Sequence, residues 1–207
     1  MVWIQAHDRA GSCVVHRQSE HFKGMNMPKG TVCVIGSSGF VGSHVTAAFL
    51  QKGYDVRGTV RESGRHPWLE SALIAGAADG ATLPLVQANP QDQARLDGAL
   101  DGCSGLVNCV GLTKQEMATV DFMQAIAGTI CDAALEAGVR HAVFTSSTGS
   151  TNPPGGDPVE KREMDHWSDD TEQLAVNKFA AAAKTRDDRT ILARSEASNG
   201  RLRCATI

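Results

Sequence analysis

The sequence predicts an α/β fold, a doubly wound parallel sheet with helices on both faces. Two observations carry that expectation: a glycine-rich strand-turn-helix over residues 31–42, and a regular alternation of strand-like and helix-like runs after it. The run Thr31-Val-Cys-Val-Ile-Gly36-Ser-Ser-Gly39-Phe-Val-Gly42 is apolar and ends in three glycines spaced three apart. It reads as a buried strand turning into a helix. The first glycine permits the tight turn, the second lets backbone amides approach a pyrophosphate, and the third lets the helix pack closely on the strand. Gly36, Ser38, Gly39, Phe40, Val41 and Gly42 are therefore candidate dinucleotide-binding residues. The anion would lie at a helix N-terminus, where unpaired amides and the helix dipole favour negative charge. A helix-compatible stretch from Phe40 to Lys52 follows, Gly53 stops it, and a second strand-like run spans Tyr54 to Val60.

Further strands are expected near residues 82–87, 105–110 and 140–145, and further helices near 67–78, 91–100, 115–137 and 169–185. Strand alternating with helix implies right-handed crossovers and a sheet covered on both faces. Thr190-Ile-Leu-Ala193 is the expected sixth strand. The nucleotide-binding domain is accordingly read as residues 29–193, and residues 194–207 as a polar tail that frays. Residues 1–28 read as a disordered leader: His7, His16 and His21 alternate with Arg, Ser and Gln without periodicity. Their spacing fits no metal-ligand motif, and Asp8 and Glu20 argue against a transit peptide.

With 207 residues, 42% hydrophobic and 21% charged, the chain has the composition of one globular domain. A net charge of −3 supplies no attraction for nucleic acid or an anionic membrane. No apolar stretch approaches the ~20 residues that span a bilayer. The six cysteines form no C-x-x-C pair and read as reduced thiols of a cytoplasmic protein rather than disulfides or zinc ligands.

Arg61 closes the second strand, where a dinucleotide fold inspects the adenosine ribose. An acidic residue there would accept from the 2′-hydroxyl of NAD, whereas a guanidinium suits a 2′-phosphate. The expectation is NADP, with NAD the alternative that Glu62 would favour.

The segment Val32 to Arg61 resembles the N-terminal part of the extended short-chain dehydrogenases/reductases, built on a Rossmann-like sheet. Tyr54-Asp-Val-Arg-Gly-Thr-Val-Arg61 is similar to their dihydroflavonol reductase and cinnamoyl-CoA reductase branch. In the family's order, Asp101-Gly-Cys-Ser-Gly-Leu-Val107 resembles the approach to the fourth strand, and Val143-Phe-Thr-Ser-Ser-Thr-Gly149 the fifth strand with its serine. Trp167-Ser-Asp169 and Ala175-Val-Asn-Lys178 resemble the run into the active-site helix, so that the likeness covers about residues 30–182.

That resemblance implies hydride transfer between a nicotinamide and a small-molecule carbonyl (aldehyde, ketone or acyl-CoA). In such enzymes a Ser polarises the substrate oxygen, a Tyr donates the proton, and a Lys four residues later holds the nicotinamide ribose and lowers the Tyr pKa. Ser147 takes the serine position and Lys178 the lysine position; the tyrosine position falls on Leu174. The chain's one tyrosine, Tyr54, opens the second strand, so no realignment restores the pair. Loss of a positioned acid costs ~10²- to 10⁴-fold in rate unless Thr171, Ser147, Lys178 or water substitutes. The resemblance also places Asn89 and Pro90 near the adenine in place of an aspartate, and Val110 and Gly111 beside the nicotinamide. Ala127-Gly128-Thr129 lacks the asparagine that often precedes it. The loop Thr148 to Glu163, with Asn152-Pro-Pro-Gly-Gly-Asp-Pro158, is expected to be a substrate-side lid or a surface connection.

Members of the family it resembles continue through a smaller substrate domain, and the resemblance leads to the expectation of a chain truncated before it. Three functions follow from this pattern: an NADP-dependent reductase with a substitute donor, an inactive NADP-binding regulatory module, or an atypical lysine-dependent reductase. The helices near 115–137 and 169–185 resemble the pair through which family members often dimerise, which makes a homodimer the candidate assembly unless the sheet uses their apolar faces.

Overall fold

The computed structural model describes residues 29–112, 116–152 and 167–207. The leader and the proline-rich stretch of the expected lid lie outside them. Six strands, β1 (Thr31–Ile35), β2 (Asp55–Val60), β3 (Leu85–Gln87), β4 (Gly105–Asn108), β5 (His141–Phe144) and β6 (Arg203–Thr206), form one sheet in the order β3-β2-β1-β4-β5-β6. Every pairing is parallel. The connecting helices are α1 (Phe40–Gln51), α2 (Leu69–Ile74), α3 (Gln93–Leu100), α4 (Met117–Glu136), α5 (Asp170–Ala175) and α6 (Phe179–Ala197). A 3-10 turn, Thr148–Thr151, follows β5.

β1 is a continuous apolar run because both of its faces are covered. Val32 and Val34 pack with Leu50 of α1, Val56, Leu83 and Val107. Cys33 and Ile35, on the other face, join Leu96 and Leu100 of α3, Ile130 of α4, Phe144, and Ile191 of α6. The helices α1 and α2 thus cover one side of the sheet and α3, α4 and α6 the other, while Val120, Met123 and Ile126 of α4 pack against Ala182 and Ala183 of α6.

The C-terminal part departs from the sequence reading in three places. Thr190-Ile-Leu-Ala193 is not a strand but lies inside α6, with Ile191 buried against the sheet. A run of four residues, two of them β-branched, is too short to oppose the helical context around it. The sixth strand is Arg203–Thr206, in register with β5, so residues 194–207 are not a frayed tail and the sheet runs to Thr206. Ser195-Glu-Ala-Ser-Asn-Gly is a helix stop: Asn199 (φ 53°) and Gly200 (φ 82°) take left-handed conformations. Ser195 Oγ donates to Leu202 O at 3.0 Å and accepts from Cys204 N at 3.1 Å, while Ser198 Oγ accepts from Leu202 N at 3.1 Å. These bonds tie the strand to the helix it follows.

The expected helix 169–185 is likewise two helices. Asn177 at φ 56° ends the first, and α6 starts from Lys178. Asparagine tolerates the left-handed region better than other side chains, which lets the chain turn there.

Candidate functional site

Between β1 and β4 the strand order reverses, so a crevice opens at the carboxyl ends of these strands, where open α/β sheets take ligands. The glycine turn forms its floor. Gly36 sits at φ 82°, and a Cβ there would stand 3.2 Å from Val110 Cγ2 at the end of β4. A Cβ on Gly42 would collide with the Gly36 carbonyl, 2.8 Å from its carbon, so the first turn of α1 can approach β1 only as glycine. Gly36 N donates to Thr59 Oγ1 (3.1 Å), and Ser37 N and Oγ both donate to Thr59 O, at 3.1 and 2.9 Å. Ser37 is therefore spent on holding the turn to β2.

α1 begins at Gly39 with no side-chain cap and no acidic residue in its first turn. The first-turn amides of Phe40, Val41 and Gly42 cannot bond within the helix, because nothing precedes them by four residues. They present positive dipole ends to the crevice. Phe40 (83% exposed) and Val41 (48%) stand outward beside them, and Ser38 is half-buried. This donor set fits a pyrophosphate.

Arg61 follows the last residue of β2, is exposed, and has no ion pair among the described residues. Glu62, which would oppose a phosphate, pairs with Arg65 at 3.9 Å. Asn89 is exposed beyond β3, its side-chain oxygen accepting from Gln91 N at 3.1 Å, and Pro90 is buried. Val110 packs beneath the crevice and Gly111 is exposed above it. The buried Asn108 shapes this bend by accepting from Val110 N at 3.2 Å.

The chemistry end differs more from the sequence pattern. Ser147 caps the 3-10 turn, its Oγ accepting from Gly149 N at 3.1 Å, and is exposed. Lys178 is exposed at the start of α6, with its backbone N donating to Gln173 O at 2.8 Å. Leu174 packs against the α4–α6 cluster with Phe179 and Leu112. Tyr54 lies at the other end of the sheet, edge-on to Phe49 with ring centroids 5.4 Å apart.

The structure also brings to the end of β5 a set that the sequence pattern did not single out. Lys184 Nζ donates to Thr145 O at 2.6 Å and lies 3.8 Å from the Asp187 carboxylate. Ser146 Oγ donates to Asp188 at 2.5 Å and lies 3.3 Å from Ser150 Oγ. Burial pushes the Asp187 carboxyl up to about 7, against the pull of Lys184 and with Asp188 adding to the rise. Burial also raises Asp188, which Ser146 and Ser150 offset in part. Ending the helix at residue 185 hid this set, since a Lys-Asp pair three apart on one helix face was its only signal.

Asp170, at the start of α5, shows the opposite shift. Burial alone would raise it, but the Arg186 guanidinium at 2.7 Å and Arg189 at 2.9 Å hold it below the usual carboxylate range. This pair fastens α5 to α6. Among the described residues no cluster of side chains could hold a metal ion, and no helix is long and apolar enough to cross a membrane.

The profile of the NmrA-like family matches residues 28–164, more than half of the chain. Cinnamoyl-CoA reductase 1 of Oryza sativa subsp. japonica is 35% identical over 147 residues, which are 70% of this chain and 42% of that relative. Dihydroflavonol 4-reductase of Hordeum vulgare is 34% identical over 160 residues, again 70% and 42%. The crystal structure of UDP-glucose-4-epimerase from Stenotrophomonas maltophila, with bound NAD and formylated UDP-arabinopyranose, shares the fold at a TM-score of 0.66 and 19% identity, over 86% of this chain and 52% of that one. The chain spans about four tenths of the length of these curated relatives. With the glycine turn, the strand order and these likenesses together, the chain belongs to the NmrA-like family of the extended short-chain dehydrogenases/reductases.

Proposed function

We propose that the chain binds NADP at the crevice above β1 and β4, and that it serves a reductase acting on an aldehyde, ketone or acyl-CoA carbonyl. The observation that carries the reading is the uncapped N-terminus of α1, brought against β1 by Gly36 and Gly42. Amides of residues 40–42 bind the pyrophosphate, and Arg61, with Glu62 drawn toward Arg65, favours a 2′-phosphate over the free hydroxyl of NAD. Asn89 and Pro90 border the adenine; Val110 and Gly111 form the wall at the nicotinamide. When bound, the cofactor supplies a hydride. Ser147 and Lys178 hold the serine and lysine positions of the family pattern, and Ser147 donates a hydrogen bond to the carbonyl oxygen through the hydroxyl proton that its capping role leaves free. A cytoplasmic setting is supported by the free state of the described cysteines, and a homodimer is the candidate assembly.

A second reading has its own observation. Leu174 stands where the family has its proton donor, and Tyr54 is at the far end of the sheet, which favours an NADP-binding module without turnover. Titration with NADPH and NADH, followed by the nicotinamide absorbance with a panel of aldehydes, ketones and acyl-CoA thioesters, separates the readings. Tight NADPH binding with turnover supports the reductase, binding without turnover the module, and no binding contradicts both.

A further inference from the structure

We propose that Lys184, and not Lys178, is the cation that grips the nicotinamide-side ribose of a bound NADP(H); the proposal rests on the dinucleotide reading above. The ammonium of Lys184 stands against the carboxyl ends of β4 and β5. It donates to Thr145 O at 2.6 Å and lies 3.9 Å from the point where a Cβ on Gly111 would stand. Gly111 is the exposed residue that walls the nicotinamide end, so the charge borders the place where that half of the cofactor must lie.

The donor inventory points to a ligand as well. An ammonium carries three N–H donors. Thr145 takes one, and Asp187 at 3.8 Å is an ion pair beyond hydrogen-bond length. Two donors thus remain on a side chain only 14% exposed, at the ligand end of the sheet. Asp187 Oδ1 is buried with no hydrogen-bond partner among the described residues, so the carboxylate does not complete the shell of the lysine. Ribose hydroxyls would accept the remaining donors.

Lys178 is placed differently. Six residues separate the two lysines, which on a helix is about 9 Å along the axis and about 240° around it. With Lys184 turned onto β5, Lys178 projects from another face, at the exposed start of α6.

Titration of the intact chain with NADPH and with adenosine 2′,5′-bisphosphate, which carries the adenosine half alone, tests the assignment. Lys184→Met should weaken NADPH about 10- to 100-fold, the loss of a charge-assisted hydrogen bond, and leave the bisphosphate unchanged. Lys178→Met should cost less than Lys184→Met. Because the single variant strands Asp187, the double variant Lys184→Met/Asp187→Asn keeps the comparison in a chain without the unpaired charge. Wild-type NADPH affinity in the Lys184 variants, a larger loss in Lys178→Met, equal weakening of both ligands, or failure of both Lys184 variants to fold would each overturn the proposal. A wild-type chain that binds neither ligand contradicts the dinucleotide reading itself.

Discussion

The two ends of the ligand crevice are built by different means. At the β1–α1 end the donors are main-chain amides, and their positions depend on what glycine lacks: a Cβ at residue 36 would press on Val110, and one at residue 42 would strike the Gly36 carbonyl. At the β5–α6 end the polar groups are side chains from separate elements: Ser146 after one strand, and Lys184, Asp187 and Asp188 from a helix some forty residues on. The first end is a local property of twelve residues. The second exists only once α6 has docked, and it keeps carboxylates buried at an electrostatic cost. The lesson is that binding geometry in this fold can be preserved by a short motif, while the chemistry beside it depends on how distant helices settle.

Four substitutions sharpen or break that contrast. The largest effect is expected at Gly42→Val, where a side chain would have to displace the backbone of its own turn. Nucleotide binding should vanish and stability fall by about 3 kcal/mol or more, measured by calorimetric titration and denaturant unfolding. Retained binding would mean that the amides of α1 are not the anion site.

Asp170→Asn comes next. It leaves Arg186 and Arg189 facing a neutral amide where α5 is fastened to α6, with the Asp170 side chain 15% exposed. A loss of about 2–3 kcal/mol is expected at neutral pH. The folded-state pKa of Asp170 is lowered, so its contribution is present above the ordinary carboxylate value and is lost as pH falls through the depressed one. Wild type and variant should therefore converge in acid.

Asp187→Asn tests the opposite sign. The folded-state pKa of Asp187 is raised to about 7, so its contribution to stability is full below the ordinary carboxylate value and is lost as pH rises through about 7. Wild-type stability should fall across that window by up to about 4 kcal/mol, the ceiling that linkage sets for a shift to about 7 in which the pull of Lys184 is already included. The variant should show a shallower slope, the remainder belonging to Asp188. Equal slopes in pH-dependent denaturation would remove Asp187 from the account.

The smallest effect is expected at Arg61→Ala, which removes an exposed cation and no packing. Preference for NADPH over NADH should drop about 10-fold, close to 1.4 kcal/mol, with melting temperature unchanged. An unaltered preference would place the 2′-phosphate contact elsewhere.

The legible parts of this molecule are those whose signal is local. Residues 31–42 announce a strand, a turn and a helix start through spacing alone, and strands 1 to 5 follow from apolar runs bounded by breakers. Residues 190–193 misled because four β-branched and aliphatic residues look alike in a strand and on the buried face of a helix; only docking of Ile191 on the sheet decides. Residues 194–207 look like a polar tail because the serines at 195 and 198 are polar, yet those hydroxyls bind backbone and seat β6. Lys184 escaped notice for a related reason. A lysine on a helix is ordinarily solvated, and nothing within its own helix reveals the carbonyl of Thr145 that it meets.

The central claim is that a nicotinamide dinucleotide lies across the carboxyl ends of β1 and β4 with its pyrophosphate on the first turn of α1. Hydrogen exchange of the intact chain with and without NADPH tests it most directly. The account predicts new protection of amides 38–43 and 110–112, with β6 and the C-terminal turns of α6 unchanged. Exchange at the glycine turn that is indifferent to saturating NADPH, or protection confined to another face, would contradict it.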